Sequence, residues 1–165
     1  MFRDFLLYVL YAVRPLCYNK LMKTSKYGAS LRPVDDARIR ELSPIALAYI
    51  GDTVFDLYVR AYLVKNNMGR IDALHRYASG VVNAHSQAQA ALLLRPNLTE
   101  REAEIFQLGK NAKSTPPKNA SHEDYSLATA LEAVAGYLYL TGQTARLNEL
   151  FGIVITHFLE GDPHA

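Results

Sequence analysis

A single cysteine, Cys17, stands in 165 residues, which excludes an intramolecular disulfide framework and any cysteine-rich zinc site. Tryptophan is absent, and neither sign of charge dominates. Eighteen Lys and Arg face sixteen Asp and Glu for a formal net charge of +2, so net charge alone does not announce a nucleic-acid binder. The uncharged run Phe5–Val13 is nine residues long, well short of the roughly 20 that span a bilayer. It also lacks the basic flank and the A-x-A-type site of a signal peptide, because Asp4 cancels Arg3. The motifs G-x-x-x-x-G-K-[ST], G-x-G-x-x-G, H-E-x-x-H and G-x-S-x-G are all missing. P-loop, Rossmann, zincin and α/β-hydrolase readings therefore have no support. What remains is a globular composition, half apolar and 21% charged, of a length that suits one domain with a real core.

Residues 1–34 read as a hydrophobic segment followed by a basic arm. The first part suits a helix docking on the domain or a partner surface. Arg14, Lys20, Lys23, Lys26 and Arg32 then come without an intervening acid, and Gly28, Ser30 and Pro33 break any periodicity. The arm is either a solvated tether or a phosphate contact. Residues 35–165 read as one helical domain. Ser43-Pro44 opens a helix of near-helical apolar period from Ile45 to Val64, closed by Asn66, Asn67 and Gly69. A second helical stretch covers about 72–94, with a break expected near Gly80, and Pro96-Asn97 stops it. Thr99 to Glu102 spells a capping box for a helix to about Leu108. The segment 108–121 holds Gly, two Pro and three Lys without an acid and reads as a loop. Helices at about 123–141 and 144–159 complete the chain. No strand alternation and no fixed repeat occur, so the expected fold is an all-α, non-solenoid bundle.

Two acids break the apolar patterning. Asp52 lies in Leu47-Ala48-Tyr49-Ile50-Gly51-Asp52-Thr53-Val54-Phe55, and Glu132 is the only charged residue between Asp124 and Arg146. An ionised carboxylate on a core-facing position is costly unless it is paired or metal-bound. Gly51 and Gly136 would let two helices cross closely and bring these acids together. Like charges in contact repel unless a divalent cation lies between them, and carboxylate oxygens with water suit Mg²⁺. The competing reading is two edge acids, or acids paired with a distant Arg60 or Arg76. Asp56, one turn beyond Asp52, is either a further acid of the site or a solvated surface residue.

Lys110, Lys113 and Lys118, with Asn111 and Asn119, make a stretch able to bind phosphate oxygens; a solvated loop is the alternative. Combined with a carboxylate cation site, it points to phosphodiester chemistry. His75 and His85 read as structural or exposed. Tyr49, Tyr58, Tyr62, Tyr137 and Tyr139 have core-like spacing, so packing is their default role.

The segment ALAYIGDTVFDLYVR (46–60) resembles the signature helix of ribonuclease III enzymes. LH (74–75), AHSQAQA (84–90), LGKNAKS (108–114), PKNAS (117–121) and ATALEAVAGYLYL (128–140) are similar, more narrowly, to Mini-ribonuclease III, the short branch without a double-stranded-RNA-binding domain. The resemblance spans about residues 40–160. It implies a homodimeric all-α endonuclease domain with a valley for double-stranded RNA. It further implies Mg²⁺, products with 5′-phosphate and 3′-hydroxyl ends, ribosomal RNA precursors as substrate, a cytoplasmic location and no membrane. Asp52 and Glu132 fall on the family's catalytic, metal-binding acids, and Asp56 takes the place of a Glu as a supporting acid. Under this reading Lys110, Asn111, Lys113, Lys118 and Asn119 hold the RNA. Three departures stand out. Ala48 and Thr129 occupy positions that carry acids in the larger enzymes, a full set that the short branch also lacks, and Ser121 replaces the Asp usual in the short branch. A catalytically inactive RNA-binding or ribosome-assembly module is the alternative of another class, and a helical adaptor is a third.

Overall fold

The computed structural model describes residues 33–113 and 121–160. The expectations for residues 1–32, and for Lys118 and Asn119, lie outside the described residues. Among the described residues there are seven α-helices and no strand: α1 Asp36–Glu41, α2 Pro44–Lys65, α3 Ile71–Val82, α4 Ala84–Leu94, α5 Glu100–Lys110, α6 His122–Leu140 and α7 Thr144–Ile155. Thr156–Glu160 follows α7 as a wider, π-type turn.

Local chemistry sets most boundaries. Ser43 caps α2, its Oγ accepting from the Ala46 amide at 3.1 Å, and Pro44 occupies the first turn, where its missing N–H costs nothing. The helix runs out at Asn66, and Asn67 adopts φ 52°, a left-handed conformation that Asn tolerates better than most residues. The reciprocal capping box of α5 forms as expected: Thr99 N–H donates to Glu102 Oε2 at 2.8 Å and Glu102 N–H donates to Thr99 Oγ1 at 3.3 Å. Three boundaries differ from expectation. The stretch 72–94 is broken at Asn83, not near Gly80, because Asn83 caps both neighbours. Its Oδ1 accepts from the Ser86 amide at 3.0 Å, and its Nδ2 donates to the carbonyls of Ser79 and Gly80. The segment from 108 remains helical to Lys110, since Gly109 is buried against α6. The short helix α1 has no apolar period to announce it, only the Asp35 cap accepting from the Arg38 amide at 2.8 Å.

α6 is the axis of the bundle. It packs against α2, α4, α5 and α7, and nearly every side of it is buried. That explains a sequence apolar all round rather than along one stripe. Phe55, Tyr58 and Phe151 tie α2 to α7 by edge-to-face rings, with centroids 5.3 Å apart for Phe55–Phe151 and 5.0 Å for Tyr58–Phe151. Val34 donates its amide to the Leu140 carbonyl at 2.7 Å, fixing the start of the described chain on the end of α6.

One buried ion pair fastens α5 to α7. Glu102 is 2% exposed and receives Arg146 Nε on Oε1 and Nη2 on Oε2, each at 2.9 Å. Arg146 Nη2 also reaches the Asn97 carbonyl at 2.6 Å. Burial pushes the Glu102 carboxyl up, but Arg146 and the Thr99 amide outweigh it and hold the group below the usual carboxylate range. Its stabilising effect is therefore present at neutral pH and lost as pH falls through the native-state titration. Arg146→Ala leaves a buried carboxylate without its cation and is expected to cost about 3 kcal/mol in urea unfolding at pH 7. A loss under about 0.5 kcal/mol, typical of a surface substitution, would show that water replaces the guanidinium at no cost.

Candidate active site

α2 and α6 cross backbone to backbone. A Cβ built on Gly51 would overlap the carbonyl oxygen of Glu132 and stand 2.8 Å from the Gly136 nitrogen. One built on Gly136 would overlap the Leu47 carbonyl oxygen and stand 3.2 Å from the Gly51 nitrogen. Only residues without a side chain fit such an approach. α5 meets the same stretch of α6 at Gly109, where a Cβ would lie 2.8 Å from Ala133 Cβ and 3.0 Å from the Thr129 carbonyl oxygen. Two helices, α2 and α5, therefore converge on residues 129–136 of α6, and Glu132 lies in the middle of that span.

The crossing brings the two patterned acids together. Asp52 follows Gly51 directly, and its charge reaches the Glu132 carboxyl. Burial first, and Asp52 second, push Glu132 up to about 8, against a hydrogen bond from Gln87 that lowers it. Among the described residues no ion pair includes either acid. Arg60 instead donates Nε to both oxygens of Asp56 at 2.8 Å, and Arg76 is exposed. Asp56 is thus held by its own helix. No group of three or more His, Cys, Asp or Glu side chains gathers as a metal cluster among the described residues. The acidic site is a pair.

One sequence expectation needs correction. Asp52 does not face the core; it is exposed, and Glu132 is half-buried. The apolar residues around Asp52 mislead because part of α2's solvent face is itself apolar. Tyr49 is 77%, Leu57 60% and Val64 61% exposed, and Tyr49 lies one turn from Asp52 on the same side of the helix. The packing role expected of the tyrosines holds for Tyr137, which is buried, and fails for Tyr49 and Tyr139.

Lys110 ends α5, Asn111 caps it and Lys113 follows. Lys110 and Lys113 are exposed, as is Asn111, and they lie one to four residues beyond the point where Gly109 meets the Glu132 segment. At the departing positions, Ala48 is buried, and Thr129 is buried with its hydroxyl donating to the Tyr125 carbonyl at 2.9 Å. Ser121 caps α6, its Oγ accepting from the Asp124 amide at 3.0 Å, which is what an Asp at that position would also do. His85, exposed as expected, spans α4 and α6: Nδ1 lies 3.0 Å from Asp124 Oδ2 and Nε2 lies 3.3 Å from Gln89 Nε2. Sequence reasoning passes over Gln87, although a buried polar residue in the alanine-rich AHSQAQAALLL is a visible irregularity.

Residues 45–143 match the ribonuclease III domain family. A Mini-ribonuclease 3 from Synechocystis sp. is 42% identical over 78% of this chain and 88% of its own length. The Mini-ribonuclease 3 of Clostridium tetani is 37% identical over 74% of this chain and 82% of its own. An X-ray crystal structure of a Fusobacterium nucleatum protein superposes with a TM-score of 0.66 at 32% identity, covering 72% of this chain and 92% of that one.

Proposed function

The chain belongs to the ribonuclease III family, within its Mini-ribonuclease 3 branch, and on that premise we propose that it is a Mg²⁺-dependent endoribonuclease acting on double-stranded RNA as a homodimer. One observation carries the reading: Asp52 and Glu132 meet at the Gly51–Gly136 crossing with no basic partner among the described residues. Two carboxylates close enough to repel, one of them with its proton affinity raised, are a poor arrangement for a protein at rest and a good one for a hard cation. Mg²⁺ characteristically takes one or two carboxylates and completes its shell with water and substrate phosphates, so the donor set fits. When bound, such an ion neutralises charge on the scissile phosphate and lowers the pKa of water. Asp52 and Glu132 hold the site, with Asp56, oriented by Arg60, as supporting acid. Lys110 and Lys113 with Asn111, and by sequence Lys118 and Asn119, grip the RNA backbone and its 2′-hydroxyls. The exposed apolar residues Tyr49, Leu57 and Val64 of α2 support the homodimer. The motif resemblance supports ribosomal RNA precursors as substrate, 5′-phosphate products and a cytoplasmic setting. No described helix is long and apolar enough to cross a membrane.

Incubation of a long RNA duplex with the purified protein tests the reading. Cleavage in Mg²⁺ and none in chelator is the expected result. A duplex that is bound but never cut would select the inactive-module reading, against which the retention of both Asp52 and Glu132 argues. The lysines have their own measurement: Lys110→Ala with Lys113→Ala should flatten the log–log salt dependence of duplex binding by about 2, roughly one for each phosphate that is no longer neutralised. An unchanged slope removes the end of α5 from the interface.

A further inference from the structure

His85 and Gln89 form an exposed polar pair that the proposed reaction leaves without a task. They lie one turn apart on α4 and share a face. His85 Nε2 is 3.3 Å from Gln89 Nε2. An amide nitrogen only donates, so the imidazole nitrogen facing it accepts. The ring proton is therefore on Nδ1, which donates to Asp124 Oδ2 at 3.0 Å. Asp124 is held in its turn, its amide donating to Ser121 Oγ at 3.0 Å in the first turn of α6. A carboxylate on one ring nitrogen is how proteins set which nitrogen is free to bind. The histidine side chain is 68% exposed, and an exposed pair adds little to stability, so the fold itself has small use for this order. Its place suits the RNA interface. Asp124 lies eight residues before Glu132 on the same helix, about 12 Å along the axis. Between them, Gly109 packs on Thr129 and Ala130 and sets down Lys110 of the phosphate-gripping segment. A lysine, the cation site and the imidazole thus follow one helix over a distance of a few nucleotides.

We propose that His85 and Gln89 together read a ribose 2′-hydroxyl of the bound duplex, and so select RNA over DNA. The inference rests on the double-stranded-RNA reading of the site. A 2′-hydroxyl is at once a donor and an acceptor. Its O–H donates to His85 Nε2 and its oxygen accepts from Gln89 Nε2, so one hydroxyl satisfies both nitrogens. A phosphate oxygen only accepts; it would suit Gln89 but would face the lone pair of the imidazole. In A-form RNA the hydroxyls line a wide, shallow minor groove, open to side chains that project from the surface of a helix. Asp124 contributes by keeping the ring proton on the far nitrogen.

A 2′-fluoro duplex is the probe, because it keeps the A-form and lacks the hydroxyl donor. Binding of the full chain to matched 2′-hydroxyl and 2′-fluoro duplexes is measured in chelator, so that nothing is cut. The parent should prefer the hydroxyl duplex. His85→Ala should lower that preference roughly 3- to 10-fold, the worth of a net hydrogen bond, and Gln89→Ala should lower it comparably. The double variant should lose less than the product of the two, because both side chains serve one hydroxyl. Lys110→Ala should weaken both duplexes alike and leave the preference where it was. Melting followed by circular dichroism verifies that each variant is folded. An unchanged preference in folded His85→Ala or Gln89→Ala overturns the proposal, as does a parent that binds the two duplexes equally. Equal weakening of both duplexes by His85→Ala overturns it too, and would mark a phosphate contact. A parent that binds neither duplex removes the double-stranded-RNA reading itself, and this proposal with it.

Discussion

Glu132→Gln should abolish duplex cleavage, by roughly 10³-fold or more, and yet make the metal-free protein more stable at pH 8. The first effect follows from the loss of one of two anionic ligands. The second follows from what the ionised side chain costs the fold. Burial and the facing Asp52 raise the Glu132 carboxyl from 4.5 to about 8, so the native state holds this proton where the unfolded chain has released it. With a raised native value, stability is greatest below pH 4.5 and falls as pH rises toward about 8. Above that value the acid is ionised in both states and the penalty is constant. At about 1.4 kcal/mol per unit, the penalty at pH 8 is on the order of 3 kcal/mol after allowance for the carboxyl's partial exposure to solvent. Glutamine is nearly isosteric and does not titrate. Urea unfolding in chelator should therefore give equal stabilities for parent and variant at pH 4.5 and a widening gap in the variant's favour from pH 5 to 8. Mg²⁺ should then stabilise the parent and leave the variant unmoved. A gap independent of pH, or a variant less stable than the parent at pH 8, would mean that Glu132 is not the strained group of this site.

The same residue shows what can be read in the chain without coordinates. Glu132 is conspicuous because nothing else is charged between Asp124 and Arg146, and the helix around it is indeed buried on nearly every side. The capping residues Ser43 and Thr99 are equally legible, since caps are local and their partners lie three residues away. Asp52 stands out in the sequence for a reason that does not hold. Apolar neighbours imply burial only if every apolar face is covered, and α2 leaves Tyr49, Leu57 and Val64 in the open. Two kinds of information are absent from the sequence altogether. The first is pairing over long sequence separations: Arg146 with Glu102, 44 residues away, or His85 with Asp124, 39 residues away, which no local pattern encodes. The second is competition between two plausible breaks. Gly80 and Asn83 both punctuate the stretch 72–94, and the chain turns at Asn83 because its side chain satisfies open groups on both helices, whereas Gly80 remains helical.

Glycine to alanine substitutions should have opposite signs at two positions of this fold. At Gly51 the new methyl would occupy the place of the Glu132 carbonyl oxygen, with the Gly136 nitrogen 2.8 Å away. Both obstacles are backbone atoms in the middle of long helices, so no side chain can rotate aside, and α2 and α6 must separate. Because α6 is the axis of the bundle, that separation also disturbs its packing on α4 and α5. The expected cost is about 3 kcal/mol, at the upper end of the range for overpacked cores. Cleavage should be lost in the fraction that still folds, since parting the helices parts Asp52 from Glu132. At Gly80, in α3, a Cβ meets nothing within 4 Å, so alanine there should stabilise by about 0.5–1 kcal/mol through helix propensity and the reduced freedom of the unfolded chain. Urea denaturation of the two single variants beside the parent measures both. A Gly51→Ala protein with parental stability and activity would mean that the two helices do not touch at this crossing, and nothing would then bring the acids together.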